Sequence, residues 1–152
     1  MKVNLIFYLI YLKDRYQSEI YAKTAYNLQP KTSEGNYILG YYYTDVKDYN
    51  KSIFYFTNAI NYTSSDFDNA KLHNLYLERA IAKSLLYTDF SADSDYRKCL
   101  ELNPKNQNGL SNYGIFLYNR GYQNKACIIW NKLKQINPNN DFFYYDFYKE
   151  CK

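Results

Sequence analysis

The sequence predicts an all-α fold, a stack of about four two-helix units followed by a C-terminal helix. Three observations carry this. A frame of small, aromatic and proline positions recurs through the chain at a nearly constant period. Gly and Pro number only 5 and 3 in 152 residues, too few for a turn-rich all-β chain. Within each segment the apolar and small residues recur at spacings of three and four, the period of a helix face.

The frame is clearest near the C-terminus, where Gly114 is followed by Ala126, Trp130, Leu133 and Pro138. One period earlier stand Ala80, Ala92, Tyr96, Cys99 and Pro104 at the same relative places. A slightly longer step reaches Gly40, Ser52, Phe56, Ala59 and Ser64, and a last one reaches Ile6, Ser18, Ala22, Ala25 and Pro30. A period of this length marks a one-dimensional stack whose units bury their apolar faces only against one another. The units are residues 1–32, 33–66, 67–106 and 107–138, with a terminal helix over 139–150, and together they form a single domain. A small residue in the first helix of a unit lets the second helix's aromatic ring lie across it. Gly114 would seat Trp130, Gly40 would seat Phe56 and Ala80 would seat Tyr96. A bulkier residue there would overpack the contact.

Each element follows from local signals. Residues 1–12 read as the first helix of unit one, and 15–28 as its partner, with Ser18, Ala22 and Ala25 forming a small face. Gln29-Pro30 ends it, because proline cannot continue a helix and displaces its predecessor from the α region. Ser33 is the expected cap of a helix reaching about Asp45, and Asp48 the expected cap of the next. The frame gains six residues at the turn formers of residues 62–69, which reads as a longer loop, a longer helix over 70–87, or both. Asp89 is expected to open the helix that ends at Asn103-Pro104. Residues 107–120 and 122–136 form the last pair, divided at Gly121, which supplies backbone freedom for a tight turn.

Units three and four resemble the tetratricopeptide repeat family, through ADSDYRKCLELNP (92–104) and YGIFLYNRGYQNKACIIWNKLKQINP (113–138). Unit two is similar, through LGYYYTDVKDYNKSIFYFTNAI (39–60), with Ser64 in place of the proline; unit one departs most, with Ile6 where a small residue is expected. The resemblance implies a right-handed α-solenoid whose first helices line a concave groove for peptides or protein segments. Carried onto this chain, that groove comprises Val3, Phe7, Ile10 and Tyr11 from unit one and Tyr37, Tyr41 and Thr44 from unit two. Units three and four add Leu77, Ile81, Ser84, Ser111, Ile115 and Tyr118. The Lys, Asn and Arg with which the best-known subfamily grips a C-terminal carboxylate are replaced here by mostly aromatic and aliphatic residues. Apolar or aromatic anchors are therefore the expected ligands. Leu77, Ile81 and Ile115 have an alternative role in packing between units, because helical apolar stripes commonly serve the core.

Composition narrows the function classes. The net charge of +4 is scattered and gives no electrostatic footprint for nucleic acid. Tyr is unusually frequent, at 21 residues, and with abundant Asn, Lys, Ile and Phe it matches an AT-rich coding sequence. His73 is the single histidine, read as a solvated surface residue, so a His-rich metal site is excluded. Asp66 and Asp68, like Asp93 and Asp95, are two apart and read as capping or surface residues rather than acid–base pairs. Cys99, Cys127 and Cys151 lack CxxC spacing. The first two read as small core residues without a disulfide framework, which makes a reducing compartment the default. There is no phosphate-binding glycine loop. The chain is thus expected to be no enzyme, to need no cofactor or metal, and to bind protein subunits or peptide segments rather than a small-molecule substrate.

The ends complete the reading. MKVNLIFYLIYLK resembles a signal-peptide core but lacks a small-residue cleavage site and is too short to span a bilayer, so it is read as a retained helix. Both ends carry apolar residues around most of the helix, at the C-terminus Phe142, Phe143, Tyr144, Tyr145, Phe147 and Tyr148. Terminal helices of a free stack need a polar outer face, so Phe142, Phe143, Tyr145 and Phe147 point to an interface in a larger assembly. The leading expectation is a built-in scaffold subunit, intracellular, in the cytoplasm or an organelle such as the mitochondrion. The alternatives are an RNA-binding helical repeat and a membrane-tethered or periplasmic assembly factor.

Overall fold

The computed structural model describes residues 15–63, 69–140, Tyr148 and Cys151. Among these residues there are seven α-helices and no strand: α1 (Arg15–Leu28), α2 (Ser33–Asp45), α3 (Tyr49–Asn61), α4 (Asn69–Leu86), α5 (Asp93–Leu102), α6 (Gln107–Asn119) and α7 (Gln123–Ile136). Each helix packs against the next in sequence. The first helices of successive pairs also touch, α2 against α4 and α4 against α6, forming a continuous row. This is an all-α solenoid. The expected helix over 1–12, most of the loop at 62–69 and most of the helix over 139–150 lie outside the described residues, as do Asp66 and Asp68.

Small-to-large packing sets the distance between paired helices. Phe56, Tyr96 and Trp130 are fully or almost fully buried, as are Ala59, Cys99 and Leu133 one turn further along the same helices. A Cβ on Gly40 would stand 2.9 Å from two ring atoms of Phe56, and one on Gly114 would overlap the Trp130 indole. Glycine is required at both positions by close approach, not by backbone shape. Backbone shape does matter at Gly121, whose φ of 81° turns the chain from α6 into α7.

The helix starts depart from expectation in two places. Thr32, not Ser33, caps α2: its Oγ1 accepts from Gly35 N at 3.1 Å, and Ser33 is the first helical residue. Asp89 does not open α5. It accepts from Ser91 N at 2.8 Å in the preceding turn, and the helix begins at Asp93. At α2 two adjacent hydroxyls can cap with equal chemistry, so only the backbone path selects one; the residue before α5 is Ala92, which makes no side-chain cap. Asp48 does cap α3, accepting from Lys51 N.

Three residues read as surface or isolated are structural. His73 is buried, its two ring nitrogens hydrogen-bonded to the side-chain amides of Asn103 and Asn106 at 3.2 and 2.9 Å. It ties α4 to the Asn103–Asn106 turn, while Asn106 also caps α6. Asp95 is also buried. It receives Arg79 through two bonds of 2.6 and 2.8 Å and Lys83 at 2.8 Å, and Arg79 reaches on to Thr57 of α3. Asp93 beside it does behave as a partly exposed residue, pairing with Arg97. Finally, Cys127 is joined to Cys151 by a disulfide, with Cα atoms 5.3 Å apart across a separation of 24 residues. This overturns the unpaired core role of Cys127. Cys99 is free and buried, and burial, aided by the Glu78 charge, pushes its thiol up to about 12.

Candidate functional site

The sequence-predicted groove residues fall on α2, α4 and α6, which touch in series. Tyr37, Tyr41 and Thr44 project from α2, Ile81 from α4, and Ser111, Ile115 and Tyr118 from α6, all half-buried. Leu77 is buried and belongs to the hydrophobic core. Phe7 and Tyr11 lie outside the described residues, as do the terminal candidates Phe142, Phe143, Tyr145 and Phe147.

Several of these side chains serve two purposes. Tyr37 packs on Phe56 with ring centroids 5.9 Å apart, and Tyr118 packs on Trp130 at 5.8 Å. Thr44 turns inward, its hydroxyl 2.6 Å from that of Ser52. The Ser111 carbonyl accepts the Trp130 indole N–H at 3.3 Å. Helix packing thus holds Tyr37 and Tyr118 rigidly while leaving part of each ring accessible. Tyr41 stands one turn from Tyr37, with ring centroids 6.3 Å apart, which makes the two tyrosines one aromatic surface.

Glu78 is the feature that sequence reading missed. It lies on α4 next to Leu77 and is half-buried. Burial pushes its carboxyl up to about 7. Burial first, and the Glu78 charge second, raises the phenol pKa of both Tyr37 and Tyr41. Burial likewise pushes Tyr96 up to about 12, with Glu78 adding to the rise and the Ser84 hydroxyl opposing it. The neighbouring cations on α4, Arg79 and Lys83, are both committed to Asp95. Among the described residues no ion pair reaches Glu78. In the sequence it stands in the run LERA, where a glutamate beside an arginine reads as an ordinary solvated pair.

A concavity of about 390 Å³ lies between α5, α6 and α7, lined by Leu100, Tyr113, Leu117 and Ile129 with Arg97 and Lys125 also among its lining residues. Neither it nor the α2–α4–α6 face brings together a cluster of metal-ligating side chains among the described residues. No helix among the described residues is long and apolar enough to cross a membrane.

Comparisons with known proteins agree with this fold. Residues 33–66 match the family model described as tetratricopeptide repeat. The fold is similar to a chain in the crystal structure of the APC/C hetero-tetramer Cut9-Hcn1, with a TM-score of 0.86 at 17% identity. That match covers 99% of this chain and 29% of the other. It is also similar to YrrB, described as a TPR protein with an unusual peptide-binding site, with a TM-score of 0.70 at 17% identity over 99% of this chain and 77% of that one. No curated protein matches the sequence. The chain has an all-α helical-repeat fold, and its residues 33–66 are similar to the tetratricopeptide repeat.

Proposed function

We propose that this tetratricopeptide-repeat chain is a non-catalytic scaffold that holds another protein, or a segment of one, against the face formed by α2, α4 and α6. The observation that carries the reading is the pair Tyr37 and Tyr41, in which Tyr37 packs on Phe56 and on Tyr41 and both remain partly exposed. Tyrosine fixed in this way offers a broad amphipathic surface whose ordering cost is already met by the fold, which is why it recurs at binding hot spots. Ile81, Ile115 and Tyr118 extend the same face. A peptide-binding site is named for YrrB and an assembly for Cut9-Hcn1, and both descriptions accord with a holding role. The terminal aromatics Phe142, Phe143, Tyr145 and Phe147 support incorporation into a larger assembly from sequence alone. The test uses the full chain as bait in its native extract. The captured partner's affinity should fall at least about tenfold for the Tyr37→Ala/Tyr41→Ala variant with helical circular dichroism unchanged. Unchanged affinity would place the contact elsewhere.

The disulfide favours a second reading of the setting. A Cys127–Cys151 bond accords with an oxidising compartment, and so with an assembly factor working outside the reducing cytosol. Mass spectrometry of the chain from its native source, alkylated before lysis, would show both thiols blocked by each other. Free thiols at both positions would contradict it.

A further inference from the structure

The side of the stack formed by α5 and α7 carries the 390 Å³ groove, which the α2–α4–α6 face does not use. Its floor is Tyr113 and Leu117 of α6, both buried, and its walls are Leu100 of α5 and Ile129 of α7, both half-buried. Ile128 stands on the α7 rim with 59% of its surface exposed. By helical spacing Tyr113 and Leu117 lie on the opposite side of α6 from Ile115. The groove and the tyrosine face are therefore separate surfaces. In size the groove falls at the small end of ligand pockets, suited to one large side chain and its immediate neighbours.

Charge around the groove is unequal. Arg97 and Lys125 line it with Glu101 as the opposing acid. Arg97 donates through Nε to Asp93 at 2.6 Å, and the Tyr113 hydroxyl donates to the other oxygen of that carboxylate at 2.7 Å, so the floor helps to position the guanidinium. Glu101 is answered by Lys98 at 2.6 Å. Lys125 lies over the Tyr122 ring, 4.9 Å from its centroid, and among the described residues no ion pair engages it. The groove thus holds one cation in excess, a single helical turn from the exposed Ile128.

We propose that this groove docks a protein segment, apart from the one held at the α2–α4–α6 face, that inserts an apolar side chain between α5 and α7 and sets an acidic side chain against Lys125. Insertion takes the exposed surface of Ile128, Ile129 and Leu100 out of water, which is the driving force of the contact. The carboxylate meets the ammonium in a charge-assisted hydrogen bond. Arg97 on the facing helix adds to the attraction. A basic neighbour would be repelled by the same two cations, so the groove selects the sign of its occupant as well as its size.

Random peptides of about a dozen residues, selected on the immobilised full chain, test this. Those that still bind the Tyr37→Ala/Tyr41→Ala variant should share an aspartate or glutamate close to a leucine, isoleucine or phenylalanine. Lys125→Glu should weaken them about tenfold at low ionic strength, where exposed charges are least screened, and Ile128→Asn by a similar factor. Both positions are exposed, so helical circular dichroism should not change. Replacing the peptide's acidic residue with lysine should abolish binding to the parent and restore it on Lys125→Glu, an exchange that misfolding cannot produce. Peptides that need Ile128 but bind Lys125→Glu at full strength would overturn the acidic occupant and with it the proposal. A selection that yields no peptide sensitive to Ile128→Asn would overturn it too, and leaves the α2–α4–α6 face untouched.

Discussion

Gly114 and Trp130 fit together with no space for a side chain between them. A Cβ on Gly114 would overlap the indole nitrogen and its two neighbouring ring atoms. The indole N–H meanwhile reaches over α6 to the Ser111 carbonyl. Gly114→Ala must therefore move a fully buried ring, at a cost of about 1–3 kcal/mol. Gly40→Ala meets Phe56 less severely, at 2.9 Å, and should cost less. Denaturant midpoints of the two variants should rank in that order. Equal midpoints would contradict this ranking of the two contacts.

The turn between paired helices exposes a suboptimal residue. Gly121 turns α6 into α7 at a φ of 81°, and Lys47 occupies the matching place between α2 and α3 at a φ of 64°. A side chain in the left-handed region costs roughly 1–2 kcal/mol, offset in part by the entropy glycine loses on folding. Lys47→Gly should accordingly raise stability by about 0.5–1 kcal/mol. Thermal unfolding checks this, and a lowered midpoint would contradict it.

How much of this could be read from the chain depends on the reach of the interaction. Phe56 over Gly40 and Trp130 over Gly114 were legible because both pairs keep the same spacing, which encodes a contact inside one helix pair. The Asp48 cap and the Gly121 turn were legible because their causes lie within a few residues. Asp95 was not. Its partner Arg79 stands at that same spacing, but charged residues carry no size code, and a surface role is their ordinary one. Cys151 could not be paired with Cys127 without knowing that the terminal segment returns to α7. Tyr148 marks that return, buried against Trp130 with ring centroids 6.2 Å apart. Within the candidate site, Tyr37 and Tyr41 came from the repeat frame, whereas Glu78 depends on how α2 and α4 meet.

The Asp95 cluster gives an asymmetric prediction. Arg79 and Lys83 keep only 15% and 20% of their side-chain surface exposed, so removing the shared anion strands two cations. Asp95→Asn should cost about 3–5 kcal/mol in urea unfolding. Replacing all three by apolar residues of similar size should cost far less, because the desolvation penalty is removed with the charges. A triple variant as unstable as Asp95→Asn would contradict this account of the cluster.

Glu78 makes stability depend on pH in the direction opposite to most carboxylates. Its folded pKa, about 7, lies above the ordinary value of 4.5. Between those values the folded chain holds a proton that the unfolded chain has released, so stability is greatest below the unfolded value and falls as pH rises through the folded one. The Glu78 charge acts on the phenols of Tyr37 and Tyr41 on α2 and on Tyr96 and the Cys99 thiol on α5. Each of those four is neutral across the window, because burial holds it above its ordinary value. Unfolding free energy should decline from about pH 5 to 7 in the parent and lose that component in Glu78→Gln. Identical profiles would show that Glu78 titrates normally.

The central claim is that α2, α4 and α6 present the contact face while α3, α5 and α7 form the back of the stack. Hydrogen–deuterium exchange of the full chain, alone and saturated with its captured partner, tests this most directly. The account predicts added protection over α2 and α4, centred on residues 37–41 and 77–81, with α3 and α5 unchanged. Protection confined to α3, α5 and α7, with α2 and α4 exchanging as in the free chain, would contradict it.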